Sequence, residues 1–169
     1  TAAAVSLAAL VLSGCALFGS DNDPKDAARA HAKVFLDAWA AGNPEQAARA
    51  TDAAGKAQTV LAETAERLST TKIAITQGQL TGCEDDQPCT QAFTVTMSLK
   101  SAGDWTYASS LTLRPRGTGD ENPDPDAWVV PWAPSVVHPL LEEGLRLGRR
   151  RELPPRASIV TRPSMSTNM

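Results

Sequence analysis

A strict two-residue alternation of apolar and polar side chains sets the narrowest limits on how this 169-residue chain can fold. Within Thr90–Lys100, four apolar side chains alternate with four small ones; the apolar set is Phe93, Val95, Met97 and Leu99, and the small set is Ala92, Thr94, Thr96 and Ser98. Successive side chains of a β-strand point to opposite faces, so this segment buries one face and exposes the other. It therefore needs neighbouring strands at its edges and a second layer against its apolar face.

The neighbouring strands are visible in the same half of the chain. Lys72–Thr81 and Trp105–Arg114 are rich in β-branched and aromatic residues, and Ser101–Asp104 is a hairpin connection. Trp128–Trp132 is predicted as a last edge strand, because Pro131 has no amide hydrogen to donate to a ladder. These segments predict a four-stranded antiparallel meander.

Helical periodicity fills the first half of the chain. Pro24–Ala41 follows Asp23 as N-cap, Asn43–Ala50 begins again with a cap and a proline, and Ala53–Leu68 gives a third helix. The apolar stripe of the first helix comprises Ala27, Ala28, Ala30, Val34, Phe35, Ala38 and Trp39. A short last helix is predicted at Pro139–Leu147. The order of elements predicts an α+β fold with about three helices on one face of the sheet.

One domain of about 120 residues, 24–147, is long enough to bury a core. The side chains predicted to form it are Phe35, Trp39, Leu61, Ile73, Ile75, Phe93, Val95, Leu99, Leu111 and Trp128.

The first residues have the pattern of an exported lipoprotein. Val5–Leu12 is an apolar stretch of signal-peptide length, and Leu12-Ser13-Gly14-Cys15 resembles the bacterial lipobox, in which the cysteine carries the lipid. This resemblance implies a signal peptide at 1–14 that lacks its basic start, lipidation of Cys15, and a polar tether at 15–23. The alternative is an alanine-rich buried helix that contains a cysteine.

If Cys15 carries lipid, Cys83 and Cys89 are left as a pair that brackets a hydrophilic turn. A structural disulfide is the favoured prediction for an exported chain. A metal site and a redox pair are the alternatives, but no further cysteine or histidine lies near enough to complete four zinc ligands, and the spacing is not that of a Cys-x-x-Cys motif.

The net charge and the number of possible metal ligands limit the classes of function that this chain can have. Sixteen basic and 19 acidic residues give a net charge of −3, which does not favour nucleic-acid binding, and no apolar run reaches the length of a membrane-spanning helix. His31 and His138 are the only histidines, and neither has carboxylate or thiol neighbours at metal-ligand spacing. No metal and no cofactor are therefore predicted.

Two stretches resemble a known family. Phe35-x3-Trp39-x2-Gly42 is similar to the opening helices of the nuclear-transport-factor-2-like N-terminal domain of bacterial penicillin-binding proteins. The second stretch resembles the terminal signature of that domain and contains Trp128, Trp132, Pro134, Ser135, His138, Pro139 and Gly144. The resemblance implies a cone of helices on a curved antiparallel sheet.

It also implies a function without catalysis. A full-length family member would be a D,D-transpeptidase, and this domain would be its lipid-anchored scaffold at the extracytoplasmic face of the membrane, active in peptidoglycan synthesis and the response to β-lactams. The implied partners are the membrane, and either peptidoglycan or the missing transpeptidase domain. Residues 148–169 resemble the linker into the next domain, although Ala157 and Thr161 depart from its pattern, so we expect a truncated chain whose arginines form a solvated linker face.

No catalytic residue is predicted. Ser69-Thr-Thr-Lys72 matches the Ser-x-x-Lys pattern of transpeptidases, but strand-like residues follow it, and no Lys-Thr-Gly sequence occurs in the chain. Two alternatives remain: a free-standing lipoprotein that binds a small ligand in its cone, and an enzyme that uses Asp37 and Asp52 as carboxylates pointing into that cone.

Overall fold

Three helices precede the sheet in a computed structural model that describes residues 24–83, 87–116, 128–150 and 152. They are α1 (Pro24–Ala40), α2 (Pro44–Arg49) and α3 (Ala54–Leu68). The N-terminus of α2 is capped by the Asn43 side chain, which accepts a hydrogen bond from the Gln46 amide. These three helices agree with their predicted bounds to within one or two residues, and no helix in the described part of the chain is long and apolar enough to cross a membrane.

Four antiparallel strands follow in the order β1-β2-β3-β4. They are β1 (Thr70–Gly82), β2 (Cys89–Leu99), β3 (Gly103–Pro115) and β4 (Trp128–Val129), and a 3-10 helix spans Pro134–Val136. Val95 of β2 lies opposite Ile75 of β1 and Tyr107 of β3. The strand order confirms the predicted meander, and the whole is the predicted α+β architecture.

The two faces of the sheet differ in burial and in the size of their side chains. The core face is formed by odd-numbered residues of β2 and β3 and, between its two register shifts, of β1, and its buried members on β2 and β3 include Phe93, Val95, Met97, Leu111 and Leu113. The outer face carries the even-numbered residues between these positions; most of its exposed members are small, namely Ala74, Thr76, Thr90, Ala92, Thr94, Thr106, Ala108, Ser110 and Thr112, and charged side chains lie near the strand ends. The alternation predicted for β2 therefore extends across the sheet.

Helix α1 covers the core face with aromatic side chains. Phe35 and Trp39 have ring centroids 6.1 Å apart, and Trp39 meets Phe93 edge-on at 6.1 Å and 84°. Seven of the predicted core residues are buried, while Ile73 and Ile75 on the edge strand β1 and Leu99 at the end of β2 are partly buried.

The prediction for Val34 is wrong, because its side chain is 52% exposed. Val34 lies two residues from both Ala32 and Leu36, which are buried. Two residues correspond to about 200° around a helix, so Val34 points away from the face that contacts the sheet.

A pair of long-range hydrogen bonds joins the helices to the last strand. The Val130 amide donates to the Ala50 carbonyl at 3.0 Å, and the Asp52 amide donates to the Val130 carbonyl at 3.1 Å. Together they form a parallel bridge between Thr51 and Val130. This bridge fixes the loop between α2 and α3 against the end of the sheet.

Two predictions for the C-terminal third are wrong in extent or type. The last strand covers only Trp128–Val129, because Pro131 cannot continue the ladder. No helix forms at Pro139–Leu147, which consists of turns. Gly144 in this stretch has φ +84°, a left-handed conformation that interrupts a right-handed helix.

A disulfide joins Cys83 to Cys89 across the end of the first hairpin, with 4.7 Å between the two Cα atoms. Both cysteines are buried, and Cys89 is completely inaccessible to solvent. The residues of the predicted lipobox, including Cys15, and the tether at 15–23 lie outside the described residues.

Candidate functional site

Apart from Trp128 on β4, the residues of the terminal signature lie in one stretch, residues 130–149, here called the C-terminal segment. Its entry is fixed by Asp52, whose carboxylate accepts the Trp132 amide at 2.8 Å and Arg114 Nη2 at 2.9 Å. These two hydrogen bonds hold the Asp52 carboxylate near the protein surface, between the end of β3 and the start of the C-terminal segment. Asp52 is therefore a positioning residue for the C-terminal segment and does not point into the interior.

The next turn is held by hydroxyl groups from the core face of β3. Ser109 Oγ lies 3.3 Å from the Ser135 carbonyl and 3.2 Å from the Val136 carbonyl, and Tyr107 donates its hydroxyl to the Val137 carbonyl at 2.7 Å. Burial raises the pKa of Tyr107 well above its ordinary value, so the phenol stays protonated and acts as a donor. Backbone carbonyls of a 3-10 turn are thereby satisfied by the sheet.

His138 is part of an aromatic stack. Its ring lies 5.3 Å from the Trp105 ring at 27°, and 4.9 Å from the Tyr107 ring at 57°. His138 Nδ1 accepts the Leu140 amide at 3.2 Å, so the neutral ring carries its hydrogen on Nε2. The role of this signature residue is to attach the segment to β3.

The other signature residues have structural positions as well. Trp128 is buried opposite Pro115 in the β3–β4 pair, and Pro134 begins the 3-10 turn. Pro139 is exposed, and Gly144 supplies the left-handed turn that brings the chain back toward α3.

The first arginines at the start of the basic stretch are exposed, and two of them also bind the domain. Arg146 Nε pairs with Glu63 on α3 at 3.1 Å. Arg149 Nη1 donates to the carbonyls of Leu68 and Lys100, at 3.1 and 2.8 Å. A guanidinium bridges these two carbonyls because it presents several N–H groups in a fixed plane. The C-terminal segment is therefore docked on the domain as far as Arg149.

A groove of about 550 Å³ lies between α3 and the C-terminal segment. Its walls include Val60 of α3 and Trp132, Pro134 and Leu145 of the segment, so they are mainly apolar. The groove is bounded by an ion pair between Lys56 and Glu143, with 3.2 Å between Nζ and Oε1. Both side chains of this pair are mostly exposed, so it contributes little to stability.

The residues considered for catalysis are not brought together. Ser69 is the C-terminal cap of α3 with φ 52°, and Lys72 lies on β1, so the two do not share a helix face as the transpeptidase motif requires. Asp37 is exposed and pairs with Lys33 on the same helix. His31 makes a 3.0 Å hydrogen bond with the Ala50 carbonyl, which ties α1 to the end of α2.

Metal binding and an open cone find no support in the described residues. Across 24–83, 87–116, 128–150 and 152, no group of three or more His, Cys, Asp or Glu side chains could hold a metal ion. Trp39 of α1 and Phe93 in the middle of the sheet are both buried, and their rings are in edge-on contact.

Sequence analysis missed Asp52 as an anchor, Ser109 and Arg149 as donors, and Tyr107 as a buried donor. Tyr107 offered one usable signal, because it is the only tyrosine and falls on the core face of a predicted strand, where a hydroxyl needs a partner. The partner of Asp52 lies 80 residues away, and no local pattern indicates such a contact.

Comparison with known families gives a match over nearly all of this structure. The model of the NTF2-like N-terminal transpeptidase domain matches residues 27–145, from the first helix to the turn after Gly144. No curated protein matches the chain significantly. The match covers well over half of the chain and contains every signature residue described above. The chain belongs to the family of NTF2-like N-terminal transpeptidase domains.

Proposed function

We propose that this chain is the non-catalytic scaffold module of a lipid-anchored penicillin-binding protein, which serves peptidoglycan synthesis and so takes part in the response to β-lactam antibiotics. The observation that carries the proposal is the family match at residues 27–145. The geometry supports it, because the signature residues hold the C-terminal segment and do not form a reactive centre.

The docked C-terminal segment is suited to a spacer. Contacts from Asp52, Tyr107 and Arg149 bind it along its length to the sheet and to α3. In the proposed role, a transpeptidase domain that follows such a segment is held at a defined distance and orientation from the membrane. The partners in this proposal are the membrane, through lipid on Cys15, and the transpeptidase domain or peptidoglycan.

The absence of catalysis is tested with a fluorescent penicillin. A serine transpeptidase forms a covalent acyl-enzyme with such a probe, because its serine has a neighbouring base and an oxyanion site. We expect no labelled band from this chain and a band from an intact transpeptidase run in parallel. A band that disappears in Ser69→Ala would overturn the proposal.

The lipid anchor is tested in cells, in a version of the protein expressed with a complete signal sequence. We expect Cys15→Ala to lose incorporation of labelled fatty acid and partitioning into detergent, since two acyl chains are needed for stable residence in a membrane. The double variant Cys83→Ala/Cys89→Ala is the matched control and should keep the label. Unchanged labelling of Cys15→Ala would contradict the anchor.

A further inference from the structure

Strand β3 has one paired edge and, within the described part of the chain, one edge without a strand partner along most of its length. It pairs with β2 continuously from Gly103 to Leu113, whereas β4 reaches only Arg114 and Pro115 on the other side. Among the described residues no strand pairs with the second edge of residues 103–113. An open groove of about 420 Å³ lies beside this edge and is lined by Ala108, Ser109, Ser110, Ser135 and Pro139. Backbone N–H and C=O groups along the edge can therefore accept another strand.

The opposite edge of the sheet, on β1, is built differently. Its pairing with β2 has two irregularities, one between Thr70 and Lys72 and one between Gln77 and Leu80. The second is held by Gln91, whose side-chain amide donates to the Gly78 carbonyl at 2.9 Å. Bulges and edge lysines prevent strand addition, and β1 carries both.

The open edge of β3 carries none of these devices. The ladder between β2 and β3 has no register shift, and residues 103–113 contain no lysine, arginine or proline. Its outer-face side chains near the centre are Thr106, Ala108 and Ser110, which are small, uncharged and exposed. A regular edge that has no charged side chain near its centre and lies next to an open groove is a surface for strand pairing.

We infer that this edge pairs with the same edge of a second copy of the chain, antiparallel and around a two-fold axis. The free edge spans residues 103–113, and its midpoint is Ala108, so full pairing places Ala108 opposite Ala108 of the partner. An isologous contact of this kind is the usual way in which identical chains form dimers.

Charges at the two ends of β3 favour the antiparallel arrangement. Asp104 lies near the beginning of the strand and Arg114 near its end, and both are exposed on the outer face. In the proposed register Asp104 lies opposite Thr112 of the partner and diagonal to Arg114 of the partner, within reach of a long side chain. Arg114 uses one nitrogen for Asp52 and has further N–H donors for a second carboxylate. The charge pattern is therefore self-complementary.

Cysteine cross-linking tests the register directly, because three exposed outer-face alanines lie on three adjacent strands: Ala74 on β1, Ala92 on β2 and Ala108 on β3. Each is changed to cysteine in the full chain carrying Cys15→Ser, which leaves the introduced thiol as the only one outside the Cys83–Cys89 disulfide. We expect mild oxidation to give a disulfide-linked dimer at least tenfold faster for Ala108→Cys than for Ala74→Cys or Ala92→Cys. Equal rates for the three variants would overturn the inference.

Sedimentation velocity gives a second measurement that does not depend on thiols. Ala108→Lys places two lysines directly opposite each other in the proposed dimer, whereas Ala92→Lys adds the same charge to the same face of the central strand. We expect a dimer for the unchanged protein and for Ala92→Lys, and a monomer for Ala108→Lys with unchanged circular dichroism. A monomeric unchanged protein, or a dimer that survives Ala108→Lys, would show that β3 does not form the interface.

Discussion

Two neighbouring residues of β2, Phe93 and Thr94, lie on opposite faces of the sheet, one buried and the other exposed. Phe93 is 3% exposed and contacts the Trp39 ring, whereas Thr94 is exposed and faces away from every helix. Burial of an aromatic side chain contributes several kcal/mol, while most exposed side chains contribute little. Side chains on the core face therefore contribute most of the stabilisation of the fold. Substitutions on the outer face can test interactions without unfolding the domain.

The largest expected effect comes from removing a ring on the core face. Phe93→Ala should lower the free energy of unfolding by about 3–5 kcal/mol, because it deletes buried surface and leaves a cavity beside Trp39. Thr94→Ala, one residue along the strand, should change it by less than about 0.5 kcal/mol. Urea titrations followed by tryptophan fluorescence measure both. Similar losses for the two variants would mean that the outer face is covered in solution.

Removing the covalent link at one end of the core face should have the next largest effect. Cys83→Ala/Cys89→Ala keeps two small apolar side chains and opens the loop, which should cost about 2 kcal/mol from loop-closure entropy. The urea midpoint should fall by a corresponding amount. Cys15→Ser is the control and should leave the midpoint unchanged; an unchanged midpoint for the double variant would contradict the stabilising role of the disulfide.

Loss of a core-face hydroxyl should have a smaller effect that depends on pH. Tyr107→Phe leaves the Val137 carbonyl without its donor and should cost about 1 kcal/mol at neutral pH. Because burial raises the pKa of Tyr107, its protonated form is favoured in the folded state. That contribution is complete below the unfolded pKa near 10 and is lost as pH rises above it.

The pH dependence can be measured without interference, since Tyr107 is the only tyrosine in the chain. Phenol absorbance should titrate at higher pH in the folded protein than in urea. Above pH 10 the unchanged protein should lose stability more steeply than Tyr107→Phe. Equal slopes for the two proteins would show that the phenol ionises as freely when folded as when unfolded.

The smallest expected effect is on the outer face. Thr96 and Thr106 face each other across β2 and β3 with 2.9 Å between their hydroxyl oxygens. Thr106→Val keeps the shape and the strand propensity but removes this hydrogen bond, which competes with water, so the change should be within about 0.5 kcal/mol. A loss above 1 kcal/mol in a urea titration would show that the two faces differ less than their burial indicates.

The elements that the sequence predicted well are those specified by local period. Alternation identified Phe93 and Val95 as buried; Pro24 located the start of α1, and the Asn43 cap located the start of α2. Helical periodicity predicts which residues of a helix are buried only when the centre of its buried face is known. Val34 was predicted incorrectly because the apolar stripe assigned to α1 was too wide.

The C-terminal segment was predicted least well, for a different physical reason. Its residues identified the family, yet their conformation depends on donors supplied by distant elements, such as Ser109 and Tyr107 on β3. The docking of Arg149 on two carbonyls depends on the ends of α3 and β2 being adjacent, which no local sequence pattern encodes. The sequence of the signature was therefore sufficient to identify the family but not to predict the conformation of the C-terminal segment.

The bridge between Thr51 and Val130 has a consequence for the time course of folding. The hairpins of the meander and the three helices close short loops, whereas the contacts from Asp52 to the C-terminal segment span 80 residues. Bringing such distant segments together costs chain entropy before any contact compensates, so we expect this closure to form late and to limit the folding rate. The amides of Asp52 and Val130 should then report the final cooperative step in pulsed hydrogen exchange, becoming protected after those of β2.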